Sequence, residues 1–196
     1  MVNRDWSEYE PRLMGRRGGR GRTAGALLGA LAFVLALGGA TAAQAPTRSG
    51  TPPTAAEGQT FGDWKYECQA LNGGQACALS QTLVSNDSKK AVAKFNLGRD
   101  PQSGVVYLAV MVPLGLDLAA GIVGAIDESG PFAYQLETCL AVGCIARIPV
   151  DAPLMKALKS GKTLKLGFRA RGAQQPTVLP GSLAGMTAGV AAASLE

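Results

Sequence analysis

From Phe61 onward, hydrophobic and polar positions alternate mostly with a period of two, the signature of half-buried β-strands. In 61–68, Trp64, Tyr66 and Cys68 share one face while Asp63, Lys65 and Glu67 share the other. Stretches 76–84 and 91–97 continue the pattern, the second setting Ala91, Ala93, Phe95 and Leu97 against Val92, Lys94 and Asn96. Stretch 105–112 is apolar throughout, which predicts a central strand covered on both sides. Stretches 121–126 and 132–138 flank the turn-rich Asp127-Glu128-Ser129-Gly130-Pro131 and predict a hairpin. Further strands are expected at 144–150 and 163–170, the last with Leu164, Leu166 and Phe168 inward. Only two segments suggest helix. Asp151 can cap 152–159, with Pro153 tolerated in the first turn and Gly161 past the end; residues 183–193 form a second, weaker candidate. Short strands with turn signals roughly every ten residues predict an all-β, antiparallel sandwich or barrel with one or two short helices.

The N-terminal region follows another rule. An arginine-rich stretch precedes the apolar run from Ala24 to Leu37, and small residues follow as far as Ala45. That run of 14 residues would cover about 21 Å as a helix, short of the roughly 30 Å of a bilayer core. Residues 1–45 are therefore expected to be a cleavable secretory signal, with small-x-small sites ending at Ala42 and Ala45. Met14 is a candidate alternative start, and Arg16-Arg17 leaves both the general secretory and the twin-arginine routes open. Residues 46–60, polar and proline-rich, are expected to be a disordered spacer, and 61–196 the folded domain. The expected address is the periplasm or the outer membrane, with membrane contact only through the signal or peripherally.

The leader also changes the reading of charge. The chain carries +5 overall. Arg4, Arg12, Arg16, Arg17, Arg20 and Arg22 against Asp5, Glu8 and Glu10 supply +3 of it, which leaves the remainder near neutral at +2. No nucleic-acid partner is expected. Cys68, Cys77, Cys139 and Cys144 all follow the leader, and an exported chain meets an environment where disulfides persist. Three connectivities are open to four cysteines. Pairs 68–77 and 139–144 are preferred because each brackets a short glycine-containing segment able to turn the chain back. The spacings C-x8-C and C-x4-C fit zinc-ligand pairs poorly.

The chain contains no histidine, so Ser-His-Asp and Cys-His mechanisms and histidine-ligated metals are excluded. No catalytic residue, cofactor or metal is expected. An alternative is a histidine-free hydrolase working with carboxylates such as Asp117 and Asp127. Asp117, set between Leu116 and Leu118, is an interaction candidate, although a turn role suits it better; Asp127 and Glu128 read as a solvated turn. Lys156, Lys159, Lys162 and Lys165 with Arg169 and Arg171 form a basic run. A solvated face is the plain reading; a patch for anionic lipid or lipopolysaccharide, centred on Lys159 and Lys162, is the sharper one.

Several of these residues together resemble the invasion-associated locus B (IalB) family of exported Gram-negative proteins. They are Phe61-Gly62-Asp63-Trp64, Cys68, Cys77, Gln81, Pro113-Leu114-Gly115-Leu116 with Leu118 and Gly121, Cys139, Gly143-Cys144-Ile145-Ala146, and Ser182-Leu183-Ala184-Gly185. Met186 stands where the family usually has Phe. The resemblance spans about 60–193. It implies an immunoglobulin-like β-sandwich, a periplasmic or outer-membrane-associated protein, and a link to host-cell invasion in pathogenic members. It brings no established active site. The expected function is a non-catalytic binding module whose partner is an envelope protein, lipid or glycan.

Overall fold

The computed structural model describes residues 54–71, 74–85 and 89–196. The expected signal and residues 46–53 of the expected spacer lie outside them. Eleven strands and two helices follow in order among the described residues: β1 (Thr60–Phe61), β2 (Trp64–Leu71), β3 (Gly74–Val84), β4 (Ala91–Arg99), β5 (Val106–Val112), β6 (Ile122–Ile126), β7 (Phe132–Tyr134), β8 (Thr138–Leu140), β9 (Gly143–Pro149), α1 (Ala152–Ser160), β10 (Thr163–Phe168), β11 (Thr177–Ser182) and α2 (Met186–Ala192). The strands form two antiparallel sheets, one ordered β1-β2-β3-β4-β5-β9-β8 and the other β11-β10-β6-β7. The expected antiparallel sandwich is what the chain forms.

The period-two pattern decides which side of each strand is buried. In β4, Ala93, Phe95 and Leu97 point into the core; in β5, Val106, Leu108, Val110 and Val112 do so. From the other sheet, Ile122, Leu164, Leu166 and Phe168 meet them. The seam leaves a space of only about 10 Å³, at the lower limit for one water. The core is therefore packed between the sheets and offers no interior ligand cavity there.

Four expectations change. First, β5 is central in its sheet but buried on one face only, because Tyr107, Ala109 and Met111 on the other remain half-exposed. That outer face is shielded by neighbouring side chains, with the Arg147 guanidinium 4.2 Å above the Tyr107 ring. Second, the stretch 132–138 is not one strand. Phe132–Tyr134 pairs with β6, and Thr138 belongs to β8 in the other sheet. Third, β11 was not foreseen, since Pro180 and Gly181 argue against a strand. An edge position tolerates both, and Gly181 is required where the Phe95 ring presses on the backbone. Fourth, the spacer ends earlier than residue 60. The N–H groups of Thr54 and Ala55 donate to the Ala192 carbonyl, Gly58 N–H donates to Tyr66 O, and Thr60–Phe61 pairs with β2.

Helix α1 starts as expected, the Asp151 carboxylate accepting from Leu154 N–H at 2.9 Å. Leu158 anchors it in the core. Helix α2 is set against it, with the Thr187 hydroxyl donating to Lys159 O at 2.8 Å.

Candidate functional site

The cysteines pair as 68–77 and 139–144. In both bridges the two residues face each other directly across adjacent strands, β2 to β3 and β8 to β9. Loops this short restrict the unfolded chain by about 2–3 kcal/mol each. The bridges lie toward opposite edges of the seven-stranded sheet, and these edges differ in what surrounds them.

At the β1–β2 edge the two outermost motifs of the sequence meet. Gly62, with φ +57°, and Gly185, with φ +87°, pass so close that a Cβ on either would strike the backbone of the other segment. Only glycine combines that conformation with that approach. Asp63 N–H donates to Ala184 O at 3.2 Å, and the Trp64 indole N–H donates to Ser182 O at 2.9 Å. Gln81, only 7% exposed, closes the junction. Its amide nitrogen donates to the carbonyls of Asp63 (3.3 Å) and Ser182 (2.9 Å), and its oxygen accepts from Ser182 N–H (2.9 Å). Trp64 stacks on Phe95 at 6.3 Å between ring centres, and Met186 is fully buried. Among the described residues no buried side-chain nitrogen or oxygen lacks a hydrogen-bond partner, and the bonds above make this edge a clasp between the two ends of the fold.

The β9–β8 edge is built differently. Val112, the last residue of β5, pairs with Cys144, and Gly143 sits against the Val112 carbonyl. This brings the tip of the β8–β9 hairpin beside the loop 113–121 that follows Val112. Gly115, at φ +84°, turns this loop so that Leu116 is buried and bridges to Ala170. Leu114 (54% exposed), Leu118 (53%), Leu140 (54%) and Val142 (72%) are left facing solvent on this rim. Single exposed leucines are ordinary; these four come from two adjoining loops.

Asp117 lies within the same rim but is engaged. Its carboxylate accepts from the Arg169 guanidinium at 2.7 Å, and its backbone N–H donates to Arg169 O. The Arg169 hydrogen bond holds the Asp117 carboxyl below the usual carboxylate range. Asp127 also has a backbone role rather than plain solvation: at φ +50° it accepts from Lys162 N–H and Thr163 N–H at 2.8–3.2 Å. Asp117 contacts Arg169, just past the end of β10, and Asp127 contacts its start. Six residues of strand separate the two contacts by about 20 Å, far beyond the ~5–10 Å of a working carboxylate pair. Asp117 and Asp127 are therefore not brought together as a carboxylate pair.

The basic run is likewise broken up. Lys159 pairs with Glu196 at 2.6 Å, Lys165 with Glu128 at 3.4 Å and Arg169 with Asp117. Lys162 is exposed, on the turn that Asp127 holds. Of the two lysines at the centre of the expected patch, Lys159 is thus paired, and Lys162 forms no ion pair among the described residues. Among the described residues no group of three or more Cys, Asp or Glu side chains is placed to hold a metal ion, and no helix is long and apolar enough to cross a membrane. Leu140 and Val142 went unnoticed in the sequence, although their place inside the C-x4-C loop was the available signal.

Comparison with known proteins rests on the same residues. The family model for invasion associated locus B (IalB) protein matches 64–194. The chain belongs to the IalB family. An Invasion protein B homolog of Brucella abortus is 33% identical over 130 residues, 66% of this chain and 75% of that protein. Invasion protein B of Bartonella bacilliformis is 25% identical over 121 residues, 61% of this chain and 64% of its own. The crystal structure of invasion associated protein B from Bartonella henselae superposes with a TM-score of 0.58 at 26% identity, covering 66% of this chain and 89% of that one. The IalB assignment agrees with the clasp: the Trp64 to Ser194 span of the match runs from one side of it to beyond the other.

Proposed function

We propose that this IalB-family chain is an exported, non-catalytic binding module of the cell envelope, and that it meets a protein partner through the rim of Leu114, Leu118, Leu140 and Val142. The observation that carries the reading is that these apolar side chains are exposed on two loops, one closed by Cys139–Cys144 and the other turned by Gly115 and Gly121 at positive φ. An apolar centre beside a charged pair, here Asp117 with Arg169, is the anatomy of a protein interface. A lipid surface would call for several unpaired cations at the rim; Arg169 is paired with Asp117, which leaves the exposed Arg171, bonded through its backbone N–H to Gly115 O, beside it. Export is supported by the Arg-rich, apolar, small-residue leader and by two disulfides that need an oxidising compartment. The invasion protein names of the relatives fit a protein that acts at the cell exterior.

The test compares the native protein with Leu140→Asp/Val142→Asp in affinity capture from the envelope of the source cell. A protein retained by the native chain and lost with the double variant, at unchanged thermal stability, is expected. Recovery of the same set by both forms, or of no specific protein by either, would sink the proposal. Mass analysis of the processed chain checks export separately, a cut after Ala42 or Ala45 being the expected result.

A further inference from the structure

A second surface lies away from the rim, where α1 passes the β4–β5 turn and the C-terminal residues. An open groove of about 740 Å³ runs there, within the range of small-ligand sites. Its floor is apolar, with Val105, Val150 and Met155 along it. Arg99, Lys156 and Lys159 stand on its walls. Lys156 is exposed and forms no ion pair among the described residues. Two acids also line the groove. Asp151 is committed to the first turn of α1, where it accepts from Leu154 N–H.

Glu196 shows what the cations select. Its carboxylate rests on Lys159 at 2.6 Å, while the Arg99 guanidinium donates to the carbonyls of Ser194 at 2.9 Å and Glu196 at 3.3 Å. An anionic oxygen group is thus already seated at one end of an apolar trough. The Glu196 side chain is itself 62% exposed, so water screens this pair and an external anion can displace it at little cost. Once it swings away, Lys159 and Lys156 face one committed acid, Arg99 staying on the carbonyls of Gly104 and Ser194.

We infer that this groove binds a single-chain anionic amphiphile, its phosphate or carboxylate head held by Lys159 and Lys156 in place of Glu196 and its tail lying over Val105, Val150 and Met155. The head supplies direction through charge; the tail supplies most of the free energy by leaving water. The site is independent of the rim proposed above.

Calorimetric titration of the full chain with dodecyl phosphate, below its micelle concentration, is the direct test. Saturable binding to one site is expected, with inorganic phosphate alone giving none and the neutral dodecyl maltoside binding at least about tenfold more weakly. Lys156→Glu and Val105→Asp should each weaken binding by about tenfold or more, whereas Glu196→Gln should strengthen it by freeing Lys159. Leu140→Asp/Val142→Asp should leave it unchanged. Absence of saturation, equal binding of the neutral amphiphile, or indifference to both Lys156→Glu and Glu196→Gln would overturn the inference.

Discussion

Two cross-strand disulfides staple opposite sides of one sheet, yet the strand pair that carries Cys68–Cys77 is closed at its other end by a clasp, while the side near Cys139–Cys144 is left open. Along the first pair, four residues from the bridge and beyond, backbone meets backbone through Gly62 and Gly185, and Gln81 engages three backbone groups with one side chain. Beside the second, a glycine at 143 and a bridge fix a hairpin whose outward residues Leu140 and Val142 stay more than half exposed. The same chemical device serves stability in one place and presentation in the other. A bridge cannot be read as structural or functional from its geometry; what covers the neighbouring apolar side chains decides.

The sharpest way to break this contrast is at the clasp. Trp64→Ala removes a fully buried ring that stacks on Phe95 and an indole N–H bonded to Ser182, and should cost about 3–5 kcal/mol in urea unfolding. Gln81→Leu keeps much of the volume but takes the side-chain partner from Ser182 N–H and the Asp63 carbonyl, while Ser182 O keeps the Trp64 indole; about 2 kcal/mol is the expected loss by the same measurement. If either variant leaves the unfolding midpoint in place, the clasp is not what closes the fold.

The bridges then sharpen the comparison. Cys68→Ala/Cys77→Ala and Cys139→Ala/Cys144→Ala should each lower stability by about 2–3 kcal/mol, but only the second should reduce retention of the captured partner. Equal retention by both double variants would erase the functional half of the distinction. Leu140→Asp and Val142→Asp, at positions more than half exposed, should change unfolding free energy by less than about 0.5 kcal/mol.

The gentlest probe is pH, and it reports on a third place, the outer face of β5. The Ser103 backbone N–H, followed by the Ser103 hydroxyl, Gln102 N–H and Arg147, lowers the Asp100 carboxyl to about 2. A folded-state value below the unfolded value of about 3.9 means that the ionised form favours folding. The stability it contributes is present above pH 4 and fades as pH falls from about 4 toward 2. Glu67, lowered chiefly by its hydrogen bond from Lys94, and Asp117, lowered chiefly by Arg169, act in the same direction. Acid unfolding should therefore steepen below pH 4, and Asp100→Asn should flatten that decline. An unchanged acid profile in the variant would show that Asp100 gains nothing from its turn.

Much of the architecture was legible because local patterns and tertiary packing agree. Period-two burial in β4 and β10 followed directly from the order of residues, and so did the Asp151 cap and the hairpin across 127–131. The failures share a cause. Pro180 and Gly181 carry an unfavourable local signal that an edge position and the Phe95 ring override. Residues 54–60 have no periodicity, and they are ordered by hydrogen bonds to Ala192 and Tyr66, more than 100 and about ten residues away in the chain. The basic run looked continuous only because its partners, Glu196, Glu128 and Asp117, are distant in sequence.

By itself, the order of residues determined a histidine-free β-protein with a signal-like leader, near-neutral beyond it and carrying four cysteines in two short-loop pairs, since each of these is a property of composition or of neighbours along the chain. Only the tertiary structure decided that the Gly62 and Gly185 motifs form one clasp, that Asp117 and Asp127 stand too far apart to work as a pair, and that Leu114, Leu118, Leu140 and Val142 share an open rim. These are facts about which long-range neighbours cover a side chain, and burial between two stacked sheets is set by registers that no local pattern contains.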